Sequence, residues 1–240
     1  MSSSCLVILM HGKWSHPNTP LLRILEKTLK EKNYVIDRPN MPWSRTREYD
    51  QTYEAALQDL AKKIEDYKKE GIKKIVLVGH SIGANAAIAY QSYIGNADAI
   101  VAITPGHIPN LMCKRDKRHE YLVKKAEDSI KKNIGTTLIE FVDLNCGNRK
   151  KFTVPADIFF SYFNPVGLGH MSDTIKKFKK VTPLLYIEGS EDHIHIGPEP
   201  VFSKAPHHAL NTYVLTSGNH MNTPEISSKQ ITEWLSFLSK

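Results

Sequence analysis

Ile75-Val76-Leu77-Val78-Gly79-His80-Ser81-Ile82-Gly83 runs without a break into Ala84-Asn85-Ala86-Ala87-Ile88-Ala89. The apolar, β-branched opening predicts a buried strand of a parallel sheet, and the alanine-rich end predicts a helix. Gly79-His80-Ser81-Ile82-Gly83 between them fits G-x-S-x-G, a strand-to-helix turn that lifts the serine hydroxyl above the carboxyl edge of a sheet. The glycines are needed because Cβ atoms in so tight a turn collide with neighbouring backbone. The same turn aims the first amides of the helix at the place where an oxyanion forms. The pattern alone arises by chance in roughly one chain in ten of this size. Its seat between a strand and a helix is what makes it informative.

Outward from that stretch, strand and helix signals alternate, the mark of a mostly parallel sheet with helices on both faces. Strands are expected at 5–10, 34–37, 74–78, 99–104, 184–188 and 212–215. A first helix is announced by Thr19-Pro20 and carries Leu21, Leu22, Leu25 and Leu29 on one face. A second places Tyr53, Ala56, Leu57, Leu60, Ile64 and Tyr67 at helical spacing and stops at Gly71. The last starts at Thr223-Pro224 and buries Ile231, Trp234, Leu235 and Leu238. Between residues 106 and 181 the rhythm breaks. A basic amphipathic helix is expected at 118–133, and a hairpin at 138–142 and 151–154 around Asn145-Cys146-Gly147-Asn148. The aromatic run Phe159-Phe160-Ser161-Tyr162-Phe163 follows. No linker-like stretch flanks this region, so it reads as an insertion or small cap within one domain spanning 1–240.

Composition narrows the class. The 240 residues are 41% apolar and 24% charged, ordinary for a globular protein, and no apolar run approaches the ~20 residues of a membrane span. Thirty-two Lys and Arg face 25 Asp and Glu, for a net charge of +7. The lysines come as scattered pairs on the polar faces of predicted helices, which reads as solvated surface. Lys114-Arg115-Asp116-Lys117-Arg118 is the densest cluster and the one segment suited to an anionic surface, but no nucleic-acid module surrounds it, so no nucleic-acid partner is expected. Cys5, Cys113 and Cys146 are too few for a disulfide framework, though one bridge with a spare thiol remains open. No charged start, apolar core and small-residue cleavage site opens the chain, so a cytoplasmic protein is expected. A periplasmic or secreted protein whose leader had been removed before Met1 would begin the same way. Among the 11 histidines, His193-x-His195 and His207-His208 have ligand-like spacing, but no zinc-site pattern exists and no metal is expected.

At this point the chain resembles the α/β-hydrolase superfamily over most of its length. His11-Gly12 after the first strand is similar to the superfamily's oxyanion loop. The elbow follows the third strand. Leu184-Leu185-Tyr186-Ile187-Glu188-Gly189-Ser190-Glu191-Asp192 looks like the late strand and turn that carry the acid, and Gly218-Asn219-His220 follows the last strand, where the family keeps its histidine. The order Ser, Asp, His is the superfamily's own. The resemblance implies a three-layer α/β/α sandwich. The family's two opening antiparallel strands are missing, so a minimal sheet of about six parallel strands or a trimmed chain is implied. The oxyanion loop continues as Lys13-Trp14, without the glycines of many lipases and carboxylesterases.

The chemistry asks for the same residues. A serine hydroxyl is a poor nucleophile until a base takes its proton, the role expected of His220. The imidazole needs a carboxylate to fix its tautomer, the role expected of Asp192. Glu188 and Glu191 compete for the acid, but the first lies inside a strand and the second has no defined direction. His193 and His195 compete for the base, but both sit in the acid's own turn. The backbone amides of Ile82 and Lys13 are the expected oxyanion donors. Trp14, His107 and Met221 stand at the sheet's carboxyl edge, as pocket lining or as packing residues.

The expectation is a serine hydrolase that cleaves a carboxylic ester of a small molecule through an acyl-enzyme, without a cofactor. Thioesterase and amidase variants share the triad, and a catalytically silent binding protein shares the fold. The aromatic insertion suggests an apolar acyl or aryl group, or else a segment pinned to the core. At this size no extended lid is expected, but a fairly open pocket.

Overall fold

In the computed structural model, which describes residues 5–238, the strands are β1 (Cys5–Met10), β2 (Val35–Asp37), β3 (Lys74–His80), β4 (Ala99–Ile103), β5 (Leu138–Asn145), β6 (Asn148–Pro155), β7 (Leu184–Gly189) and β8 (Thr212–Thr216). The helices are α1 (Arg23–Glu31), α2 (Tyr53–Lys69), α3 (Ile82–Tyr93), α4 (Pro109–Arg115), α5 (Lys117–Lys131), α6 (Ala156–Phe163), α7 (Met171–Thr174), α8 (Thr223–Ile226) and α9 (Ser228–Phe237). Six strands form one sheet in the order β2-β1-β3-β4-β7-β8, and every neighbouring pair is parallel.

Period-two alternation divides the central strands between two apolar layers. In β1, Leu6, Ile8 and Met10 join a core with Tyr53, Leu57, Leu60 and Ile64 of α2 and with α3. Val7 and Leu9 turn to the opposite layer, against Leu25 and Leu29 of α1 and Ile231, Trp234 and Leu235 of α9. A strand covered on both faces must be apolar throughout, which is why β1, β3 and β4 are legible as continuous runs. Helix α3 is buried at every position from Ile82 to Gln91, so it carries no polar face.

The insertion between β4 and β7 is built on the β5–β6 hairpin. Its arms are longer than the sequence suggests, pairing from Leu138 with Pro155 to Asn145 with Asn148. Cys146 (φ 47°) and Gly147 (φ 79°) form the two-residue turn, both in the left-handed region that such a turn demands. The aromatic run is helix α6. Phe159 and Phe163 are fully buried, with Phe141 to Phe159 and Tyr49 to Tyr162 ring centroids each 4.9 Å apart. These rings hold the insertion to the core.

The lysine pairs behave as solvated charge. Lys62–Asp59, Lys68–Glu65 and Lys131–Glu127 are exposed helical ion pairs, a class worth at most ~1 kcal/mol each. Cys5, Cys113 and Cys146 are all free thiols. Among the described residues no helix is long and apolar enough to cross a membrane.

Candidate active site

Ser81 sits between β3 and α3 with φ 57° and ψ −125°, a backbone state that side chains rarely adopt. Surrounding backbone imposes it. A Cβ at Gly79 would lie 2.1 Å from the Gly83 carbonyl oxygen, and one at Gly83 would lie 2.4 Å from that of Met10. Only glycine fits either place. The Ser81 amide still reaches the Ile103 carbonyl at 3.0 Å, so the elbow stays joined to β4.

Ser81 Oγ donates to His220 Nε2 at 3.0 Å, and His220 Nδ1–H donates to Asp192 Oδ2 at 2.7 Å. All three residues are buried. Burial works against the Asp192 carboxylate, but the bond and charge of His220, together with the Ile194 amide at 3.0 Å, outweigh it and hold its pKa below the usual value. The competing groups are engaged elsewhere. Glu188 accepts from the Ile196 and Gly197 amides, both at 3.1 Å, and from the Tyr213 hydroxyl at 2.8 Å. His195 faces Glu188 at 3.5 Å, and His193 is largely exposed beside Asp192. Neither touches Ser81 by hydrogen bond.

Two further histidines build the scaffold. His80 Nε2–H donates to the His220 carbonyl at 2.8 Å and so fixes the loop that carries the base. His11 Nδ1–H donates to the Gly12 carbonyl at 2.9 Å, while Nε2 accepts from the Met41 amide at 3.2 Å, which shapes the loop leading to Lys13. Burial pushes the His11 imidazole down to about 4 and that of His80 down to about 3, so both are neutral at pH 7. The amides of Lys13 and Ile82 have no hydrogen-bond acceptor among the described residues, and both residues border the same cavity as Ser81.

That cavity, of about 500 Å³, is lined by Ser81, His220, Lys13, Ile82 and residues of the insertion. His107 lines it, although the residue is buried. Trp14 does not: it packs against Phe152, ring centroids 5.9 Å apart, because the chain at Trp14 turns (φ 55°) to join the Trp43 carbonyl. Met221 is half exposed and outside the lining, with its Sδ 3.9 Å from Cys146 Sγ at the hairpin tip. The walls come instead from α4 and α5 (Leu111, Met112, Arg115, His119) and from the hairpin (Val142, Leu144, Arg149). The basic cluster thus ends at the cavity rim. Gly106 was also missed. A Cβ there would lie 2.9 Å from both Ser81 Oγ and His220 Cε1, so its bareness keeps the nucleophile accessible. Its place just past the β4 end, beside Pro105, is the one signal that could have pointed to it.

The sequence model of the Alpha/beta hydrolase family matches residues 7–206. No curated protein sequence matches the chain. Among solved structures, Est1E from Butyrivibrio proteoclasticus with ferulic acid bound is similar at a TM-score of 0.67 and 16% identity, over 99% of this chain and 90% of that one. The Paleococcus ferrophilus monoacylglycerol lipase is similar at 0.65 and 17%, over 97% and 94%. An esterase of Pyrococcus furiosus is similar at 0.62 and 19%, over 99% and 83%. Identities this low speak for the fold alone. With the family model matched over most of the chain, the serine elbow within that match and a six-stranded parallel sheet around it, the protein belongs to the Alpha/beta hydrolase family.

Proposed function

We propose that this protein is a serine hydrolase that cleaves a carboxylic ester through an acyl-enzyme. The observation that carries the reading is the continuous hydrogen-bonded path from Ser81 through His220 to Asp192, opening on a cavity lined in part by Ile108, Leu111, Met112, Val142 and Leu144. His220 Nε2 takes the Ser81 proton as Oγ attacks the ester carbonyl. Asp192 holds the tautomer and stabilises the imidazolium that forms. The developing oxyanion is received by the Ile82 and Lys13 amides, and one such donor is worth about 3–4 kcal/mol of barrier. Collapse expels the alcohol, which leaves with the proton held by His220. Water then gives its proton to His220, attacks the acyl carbon, and releases the acid and free Ser81. Esterase and lipase structures among the similar folds support the ester as substrate.

Labelling with a fluorophosphonate probe, wild type beside Ser81→Ala, tests this without a guessed substrate. The expected result is an adduct mapped to Ser81 by mass spectrometry and lost in the variant. Folded wild-type protein that takes no adduct would overturn the reading.

A further inference from the structure

His107 lines the reaction cavity yet is only 1% exposed. Nearly all its polar atoms are committed. The backbone N–H donates to Asn85 Oδ1 at 3.1 Å, and the carbonyl accepts from Asn85 Nδ2. Ring Nε2 faces the Tyr162 carbonyl at 2.7 Å, and the ring stands edge-on to Phe163 with centroids 5.4 Å apart. The position is therefore rigid. One polar atom is left: Nδ1, buried and without a partner among the described residues.

The chemistry of that atom is set by its neighbours. Burial, with the nearby Lys13 ammonium, pushes the imidazole down to about 4. At neutral pH the ring is uncharged. A carbonyl opposite Nε2 fixes the proton there, so Nδ1 is a bare acceptor. A second buried ring nitrogen without a partner, Nε2 of His119, belongs to the same lining. The apolar side chains of Ile108, Leu111, Met112, Val142 and Leu144 share this lining with the charged Arg115, Asp116 and Arg149. An acceptor left empty in such surroundings is costly, and native proteins seldom keep one. Beside a reactive serine it suits a donor on the substrate. Gly106, adjacent to His107, has no side chain over Ser81 Oγ and leaves the nucleophile uncovered.

We propose that the substrate is an ester with a free hydroxyl group on an otherwise apolar skeleton, and that His107 Nδ1 accepts the hydrogen bond of that hydroxyl. The proposal rests on the ester reading above and adds the class of substrate. A site built to receive a hydroxyl discriminates strongly against the analogue that lacks it, because its buried acceptor then goes unpaired.

The test is a panel of matched esters: ethyl 3-hydroxybutyrate and 2-hydroxyethyl butyrate against ethyl butyrate, ethyl 6-hydroxyhexanoate against ethyl hexanoate, and 4-hydroxybutyl butyrate against butyl butyrate. The panel also tells whether the hydroxyl belongs to the acyl or the alcohol part. At least one hydroxylated ester is expected to exceed its partner in kcat/KM by about ten-fold or more. That ratio is expected to fall towards one in both His107→Gln and His107→Phe. Glutamine can still donate to the Tyr162 carbonyl while presenting nothing at Nδ1, so it guards against a misfolded phenylalanine variant. Preferences below about ten-fold throughout, or a preference that survives both substitutions, would overturn the proposal. If wild-type Ser81 takes no fluorophosphonate, the ester reading has failed separately. Binding of the same panel to Ser81→Ala, followed by ligand NMR, then decides the hydroxyl contact: tighter binding of hydroxylated members supports it, and equal binding refutes it.

Discussion

Asp143 Oδ1 lies 2.7 Å from Lys13 Nζ, and the carboxylate is wholly buried. Its other oxygen accepts from the Tyr49 hydroxyl at 2.7 Å. Asp143 ends the core-facing row Ile139, Phe141, Asp143 of β5, where an unpaired charge would be untenable. Burial works against its ionisation, but the charge and bond of Lys13, with the Tyr49 bond, outweigh that and lower its pKa. The hairpin also holds Lys13 at its backbone, since Asn145 Nδ2 donates to the Lys13 carbonyl at 3.0 Å. A segment of the insertion therefore grips, at both ends, the residue whose amide is proposed to meet the oxyanion.

Asp143→Asn tests that grip. It leaves the Lys13 ammonium without its counter-ion, a loss of up to about 3–5 kcal/mol for buried pairs. The melting temperature is expected to fall by several degrees. If the grip sets the oxyanion amide, kcat falls by about 10²-fold while KM stays within a few-fold, since the lost contact is made in the transition state. A lowered melt with unchanged kcat would show that the pair serves folding alone.

Gly106→Ala separates access from stability. The added methyl would meet Ser81 Oγ and His220 Cε1 at 2.9 Å and Ile194 Cδ1 at 2.8 Å, all side-chain atoms of the site. Activity and fluorophosphonate labelling are expected to drop at least ~10²-fold, as for a displaced reacting group. The melt should stay within a few degrees, because no backbone contact is involved. Full labelling of the alanine variant would disprove the obstruction.

The sheet was legible because strands covered on both faces must be continuously apolar, as Ile75–Val78 and Leu6–Met10 are. The elbow was legible because Gly79 and Gly83 are required by backbone contact, and contact of that kind leaves a fixed spacing. Ser81, Asp192 and His220 then followed from the order of elements. The cavity wall was not legible, since it forms where residues 130 apart in sequence meet, as Lys13 and Asp143 do. Trp14 and Met221 stand close in sequence to site residues, but the local turn aims each away from the cavity. The Asp143 clue was present in the alternation of β5. It could be weighed only once Lys13 was seen opposite.

Stability should fall as the pH drops below about 6.5, through histidines that burial keeps neutral. His11, His80 and His107 are held near 4, 3 and 4, chiefly by burial, against an ordinary 6.5. Between pH 6.5 and about 4 the unfolded chain binds protons that the folded protein refuses, so stability declines as pH drops. Each histidine contributes a slope of up to about 1.4 kcal/mol per pH unit. Urea titrations at pH 7, 6 and 5 read this directly, and His107→Gln should lessen the slope by close to one proton. A flat profile over that range would contradict the buried neutral assignment.

Ser81 stores backbone strain that the chemistry uses and the fold does not need. At φ 57° and ψ −125° a residue with a Cβ is held at a cost of about 1–3 kcal/mol, while glycine tolerates the region freely. Ser81→Ala keeps the strain and removes the hydroxyl, whereas Ser81→Gly removes both. Glycine loses more entropy on folding, which returns about 0.5–1 kcal/mol of the gain. The glycine variant should therefore be the more stable of the two by about 1 kcal/mol, or roughly 2–4 °C at this chain length. Both are expected to be inactive, so the comparison isolates the turn from the reaction. Calorimetric melts of the pair give the answer. Equal melting temperatures would mean that the contacts at Gly79 and Gly83 hold the elbow without strain at Ser81.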